Sequence, residues 1–313
     1  MSPSSIGVPC LSAASTMSLP MSSPSSTMGI PFRGMILIMR ERYTLVRFIG
    51  VKMGAVRNIM RVPIKGNWKL ERIIGLVDND LELQTLWRCA NVTAIDRMGY
   101  SDHGPVHAKI VANAALKMLR ILVNRGVEPS VVRDYGLSVE DAEVVVFLAA
   151  ILHDIGMSII REGHEYFSVQ LAQGILRRYL PAIYNPEEAV IIESEVLHAI
   201  LCHHASRMPL TIEAGIVKVA DALDMEKGRS RIPFEAGKVD IHSVSALSIE
   251  EVDIEEGEEK PILIRVKMTN PAGIFQVDNL LGAKIKGSGL EEYIHVEAII
   301  GEGGERIIER FEL

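Results

Sequence analysis

The sequence predicts a mainly α-helical bundle followed by a small C-terminal α+β domain. Three observations carry this. The run Val144 to Leu152 is continuously apolar and opens on Ser138 and Asp141, spaced as a capping box, which marks a helix buried on all sides. The segments around it repeat apolar residues at helical spacing. Near Gly237 the pattern changes to apolar–polar alternation broken by turn residues, which marks strands.

Taken in order, residues 1–34 are rich in Ser, Pro and Met and carry no charge before Arg33. A secretory leader would need a basic start and an apolar core, so this stretch reads as a disordered tail or a mis-assigned start, with Met35, Met39, Met53 or Met60 as the true one. Residues 35–69 form an undefined lead-in, with a weak strand pattern over 36–50. Leu70, Ile73, Ile74 and Val77 recur as on a short helix, and Leu83, Leu86 and Trp87 as on a second after the turn Asp78-Asn79-Asp80. These begin a helical domain expected over 70–236. Asp102 and Pro105 open a helix with Val111, Ala114, Met118 and Ile121 on one face. His164 opens another, with Phe167, Leu171 and Ile175. Further helices span Ala189 to His204 and start near Thr211. In the domain expected over 237–313, residues 245–256 and 261–269 flank Glu256-Gly257-Glu258-Glu259-Lys260 as a hairpin. A helix follows from Asn270-Pro271. Strands at 293–300 and 306–313, joined through Gly301 to Gly304, complete a ββαββ order.

The chemistry gathers on the helical part. Of nine histidines, seven lie between His103 and His204. His153-Asp154 closes the apolar helix just before Gly156, a residue able to stop it. A carboxylate delivered into an apolar interior costs several kcal/mol unless paired or neutralised, and a divalent cation shared with the imidazole removes that cost. The plain alternative is a helix end whose polar pair meets solvent. His107 shares a face with the stripe beginning at Val111, and Asp221 sits among apolar neighbours with Lys218 three residues before it. Helical bundles build metal sites from such inward side chains on facing helices.

His107, His153-Asp154 and Asp221, with the contexts Ile151-Leu-His-Asp-Ile-Gly156 and Val217-Lys-Val-Ala-Asp-Ala222, resemble the ordered signature of the HD-domain superfamily of metal-dependent phosphohydrolases, over about Asp102 to Pro233. The resemblance implies a helical HD-domain bundle in which these four residues hold a metal. His164, His203 and His204 are similar to the added histidines of the HD-GYP branch. That likeness implies a second metal with Asp154 bridging. His103 stands where the branch carries a further ligand. Met157 replaces the Lys of the HD-GYP pattern, and Ala205-Ser-Arg-Met-Pro209 replaces its Gly-Tyr-Pro loop. The resemblance therefore implies a generic phosphohydrolase rather than a cyclic dinucleotide phosphodiesterase.

The expected reaction is hydrolysis of a phosphate ester, of a nucleotide or related small molecule, by hydroxide on one or two divalent ions drawn from Mn, Fe, Ni, Co, Zn or Mg. Asp154 and Lys218 are the expected catalytic groups. Lys218, Arg207, Arg229 and Arg231 are candidates to hold phosphate oxygens, against the plain reading of solvated surface charge. His198 and Asp224 are candidates to support the ligands, and Cys202 reads as a small buried apolar residue. Two other readings stay open: a nucleotide sensor without catalysis, and a di-iron oxygenase.

Composition bounds the rest. A net charge of −7 gives no general attraction to nucleic acid or membrane, and no apolar stretch reaches the ~20 residues of a membrane span. Three scattered cysteines, Cys10, Cys89 and Cys202, fit a reducing, cytoplasmic location without a disulfide framework. Scarce Gln with frequent Ile, Val and Glu leans towards a thermophile. The expected partner is a small phosphate substrate, and self-association through the C-terminal domain stays open.

Overall fold

The structure is a computed structural model; it describes residues 59–226, 241–301 and 310–312. The expectations for the tail, the translation start, the strand over 36–50, Arg229 and Arg231 lie outside these residues.

The buried helix expected from the apolar run is the centre of the bundle. It is α5, Val139–Leu152, and every residue from Asp141 to Leu152 is buried. Its start is fixed by the capping box of Ser138 and Asp141. The Asp141 carboxylate also accepts from Lys69 Nζ at 2.6 Å and Tyr184 Oη at 2.8 Å. Around it lie α1 (Trp68–Val77), α2 (Leu81–Asn91), α3 (Pro105–Asn124), α4 (Ser130–Tyr135), α6 (His164–Tyr179), α7 (Pro186–Cys202) and α8 (Ile212–Ala222). Caps set several starts: Asn67 for α1, Asp80 for α2, Asn185 for α7 and Thr211 for α8. Helix α5 packs against α3, α7 and α8. Trp87 of α2 donates its indole N–H to the carbonyl of Ile151 at 3.0 Å, occupying a C-terminal carbonyl that the helix leaves unbonded.

Gly156 plays a different part from the helix stop expected of it. Helix α5 has ended at Leu152, and a Cβ on Gly156 would lie 2.1 Å from the His164 carbonyl oxygen and 2.6 Å from the Ser168 nitrogen. The glycine lets the start of α6 press against the chain leaving α5. The turn into α6 needs a second glycine, Gly163, at φ +69°.

After α9 (Ile241–Leu247) the chain forms a four-stranded sheet in the order β1 (Ile249–Glu256), β2 (Ile262–Met268), β3 (Ile294–Ile300), β4 (Arg310–Glu312). Both hairpin pairings are antiparallel, with Val252 opposite Val266 and Ala298 opposite Phe311. The central pair, β2 and β3, is parallel, with Ile264 opposite Val296. Parallel neighbours need a crossover, and the helical turns at Pro271–Gly273 and Gln276–Gly282 with α10 (Ala283–Lys286) supply it. Along β2 and β3 alternate residues are buried, as the alternating sequence requires. The ββαββ order is therefore as expected.

The helical part and the sheet pack on each other. One continuous apolar core runs from Leu70 through Phe147 to Ile264 and Val296, and α8 contacts α10 while α3 contacts β1 and β2. No helix among the described residues is long and apolar enough to cross a membrane.

Candidate metal centre

The helix ends aim a set of imidazoles and carboxylates at one place. His107 lies on the first turn of α3, which Pro105 starts and Asp102 steadies by accepting from the backbone nitrogens of Gly104 and His107. His153 and Asp154 follow the last turn of α5, His164 begins α6, His203 follows α7 and Asp221 is in the last turn of α8.

Their atoms fall into two nests. In the inner one, His107 Nε2 stands 3.1 Å from His153 Nε2, 3.1 Å from Asp221 Oδ1 and 3.3 Å from Asp154 Oδ2. His153 Nε2 is 3.3 Å from the same Asp154 oxygen. In the outer one, His164 Nε2 stands 3.0 Å from Asp154 Oδ1 and 3.1 Å from His203 Nε2. Asp154 thus offers one oxygen to each nest. His103 Nδ1 joins at the inner oxygen, donating to Asp154 Oδ2 at 2.7 Å.

The far nitrogens of the rings explain why the near ones can bind a cation. His153 Nδ1 donates to the Ala150 carbonyl at 2.8 Å, His164 Nδ1 to Arg161 at 2.9 Å and His203 Nδ1 to Ile200 at 2.6 Å. His107 Nδ1 donates to Asp224 Oδ2 at 2.6 Å. A carbonyl or carboxylate can only accept, so each Nδ1 carries a hydrogen and each Nε2 faces the cluster, with a lone pair whenever the ring is neutral. Two lone pairs facing each other at 3.1 Å repel unless positive charge, a proton or a metal ion, lies between them. Donor atoms sharing one ion at ~2.1 Å stand about 2.9–3.4 Å apart, the spacing of the pairs above, while His153 Nε2 and Asp221 Oδ1 at 3.6 Å and His203 Nε2 and Asp154 Oδ1 at 3.8 Å stand a little wider. A donor set of imidazole nitrogens and carboxylate oxygens without thiolate suits Mn, Fe, Co, Ni or Zn. Three groupings satisfy the closeness a cation needs: His103, His107 and Asp154; His107, His153 and Asp221; His153, Asp154 and His203.

The electrostatics agree. Burial opposes charge on Asp154, yet the imidazoles of His153 and His103 outweigh it and hold the carboxyl well below its usual range. For Asp221, burial is likewise outweighed, chiefly by the Lys284 ammonium and then by His107 and His153. Burial would lower the His153 pKa, but Asp154 and Asp221 push it up to about 9. Burial, aided by the His153 charge, pushes His203 well down, so its ring is a neutral donor. Two ionised carboxylates in so dry a place attract positive charge, and a divalent ion can take the place of protons.

Several residues stand elsewhere than expected. Lys218 shares a helix with Asp221 but does not turn to it. Its fully buried ammonium donates to the carbonyls of Ala205 at 3.2 Å, Gly287 at 2.8 Å and Arg207. The three carbonyls satisfy its three donors in this structure. His204 is exposed, and its Nδ1 accepts from Ser206. Consecutive residues at a helix end point about 100° apart, so His203 faces the cluster and His204 cannot. Arg207 is exposed and stacks on the Tyr166 ring at 5.3 Å, beside the start of α6. His198 accepts from the Leu210 nitrogen at 3.0 Å and supports the chain after α7 rather than a ligand. Cys202 is buried, as expected. Lys284 was not foreseen at all: it reaches from α10 to Asp221 Oδ2, and no local pattern announces it.

Fold and site together define a helical protein with a His–Asp centre suited to one or two divalent ions. A family model described as HD domain matches residues 107–226. The uncharacterized protein MJ1020 of Methanocaldococcus jannaschii is 52% identical over 217 residues, covering 69% of this chain and 84% of that protein. Ribonuclease Y of Symbiobacterium thermophilum is 27% identical over 162 residues, 49% of this chain and 28% of that protein. No solved structure matches significantly. The chain belongs to the HD-domain superfamily, whose members are in general metal-dependent phosphohydrolases.

Proposed function

We propose that the protein is a phosphohydrolase that cleaves a phosphate ester, of a nucleotide or related small molecule, with the help of divalent metal. The observation that carries this is the double presentation of Asp154, one oxygen to His107 and His153 and the other to His164. Two adjoining cation sites sharing a carboxylate suit the two oxygens of an in-line displacement at phosphorus. The relative named ribonuclease Y bears an enzyme name that denotes phosphodiester cleavage, which supports phosphate-ester chemistry, although the chain spans only 28% of it.

His107, His153, Asp154 and Asp221 would hold the inner ion, and Asp154, His164 and His203 the outer one. Metal, when bound there, would supply a Lewis acid and bring the pKa of water down towards neutrality. The chain supplies the rest. Asp224 fixes the His107 ring through its 2.6 Å hydrogen bond, and the carbonyls of Ala150, Arg161 and Ile200 fix the other three. His103 donates a hydrogen bond from Nδ1 to the shared carboxylate at Oδ2. The apolar wall of α5 keeps bulk water from the ligands' backs.

The test is elemental analysis of the purified chain, then a screen of phosphate mono- and diesters with each divalent metal. Turnover that follows metal content, and is lost in Asp154→Ala, supports the reading. Tight nucleotide binding without product over hours at full metal loading would replace it with the sensor.

A further inference from the structure

The metal centre is not built from the helical part alone. Lys284 lies on α10, within the crossover between β2 and β3, and its ammonium donates to Asp221 Oδ2. The other oxygen of that carboxylate faces His107 and His153. Both side chains keep a little exposure, 17% for Lys284 and 15% for Asp221, whereas His107 and His153 keep 0% and 1%. The Lys284–Asp221 pair therefore reaches solvent in part, whereas the two imidazoles do not. The position of Lys284 is held by Lys218, which ties the Gly287 carbonyl one residue beyond α10 to the carbonyl of Ala205, just after His203.

An ammonium has three donors, and Asp221 takes one. A divalent cation on the inner oxygen would draw on the charge of the same carboxylate and leave the lysine less neutralised. What fits beside it is a group with several charged oxygens at tetrahedral spacing, close enough to share oxygens with the metal. We propose that Lys284 binds a phosphoryl oxygen of the substrate, so that the α+β domain furnishes part of the phosphate site. This rests on the phosphohydrolase reading above and assigns Lys284 the role expected of Lys218.

The experiment uses the full chain loaded with Mn, with inorganic phosphate as the probe, in native protein, Lys284→Met, Lys284→Gln and Lys284→Arg. Calorimetry gives the phosphate affinity, elemental analysis the metal content, and thermal melting the fold. The expected result is unchanged metal content, with phosphate binding weakened about 10–100-fold in the Met and Gln variants, the loss for one charge-assisted hydrogen bond. Arg should restore most of it. With an ester substrate, KM should rise in parallel. Unchanged phosphate affinity in a folded Met or Gln variant overturns the proposal. So does lost metal with phosphate affinity per loaded site intact, since Lys284 would then only balance Asp221. Undetectable phosphate binding by native loaded protein overturns it too. If the native chain hydrolyses no ester, the phosphohydrolase reading fails, while the phosphate titrations still decide Lys284.

Discussion

The inner and outer nests share a carboxylate yet are built differently. The inner one draws His107, His153 and Asp221 from α3, α5 and α8, helices that form the middle of the core, and it has two carboxylates. The outer one draws His164 and His203 from the start of α6 and the end of α7, and it has only the far oxygen of Asp154. The turn that brings His164 in, with Ile159 and Ile160 exposed, rests on two glycines. More charge and a stiffer mounting should make the inner ion the tighter one, with the outer ion exchanging more readily.

Losing the shared carboxylate should have the largest effect. On the proposed reading, Asp154→Ala should release the ions of both nests and lower the proposed phosphate-ester turnover by at least about a thousand-fold; full occupancy of either site in that variant would break the comparison. Gly156→Ala separates the nests. A methyl there meets the His164 carbonyl, so the start of α6 must shift. The outer affinity should fall by about ten-fold or more while the inner one stays within about two-fold, as read by chelator competition. Equal losses at both would show that the nests move as one. Asp224→Ala acts on the inner nest by removing the hydrogen bond to His107 Nδ1, and should cost about 10–100-fold in affinity for the tighter ion. The smallest effect concerns the mounting of α5. Asp141 is buried, which opposes ionisation, but Lys69, Ser138 and Tyr184 outweigh this and hold its pKa below the ordinary carboxylate value. A depressed carboxylate pKa stabilises the fold above the unfolded value and loses that contribution as the pH falls through the folded one. Asp141→Asn should therefore cost about 1–3 kcal/mol near neutral pH, and the gap in melting should close only as the pH falls below the ordinary aspartate pKa.

What was legible in the sequence follows from how local each signal is. Capping residues, the apolar run and the strand alternation act over a few neighbours, so α5, α8 and the ββαββ order could be read directly. The His-Asp pair was legible because a buried carboxylate demands a partner. Lys218 and Lys284 were not, because what decides them is distant. Lys218 answers to carbonyls 11, 13 and 69 residues away, and Lys284 to a carboxylate 63 residues before it. Spacing on one helix suggested that Lys218 and Asp221 meet, but three residues make less than a full turn, and three waiting carbonyls outbid one carboxylate already approached by His107 and Lys284. His103 was noticed only by its place four residues before His107, and its bond to Asp154 depends on the chain bending at Gly104.

The buried Lys218 ammonium behaves as a cation that cannot diffuse away. It gathers backbone oxygens much as a bound potassium would, but a covalent tether keeps it in place when the solution is stripped of metal. Chelation should therefore empty the His–Asp cluster without unfastening the sheet domain from the helices: this clasp stays when exchangeable ions leave.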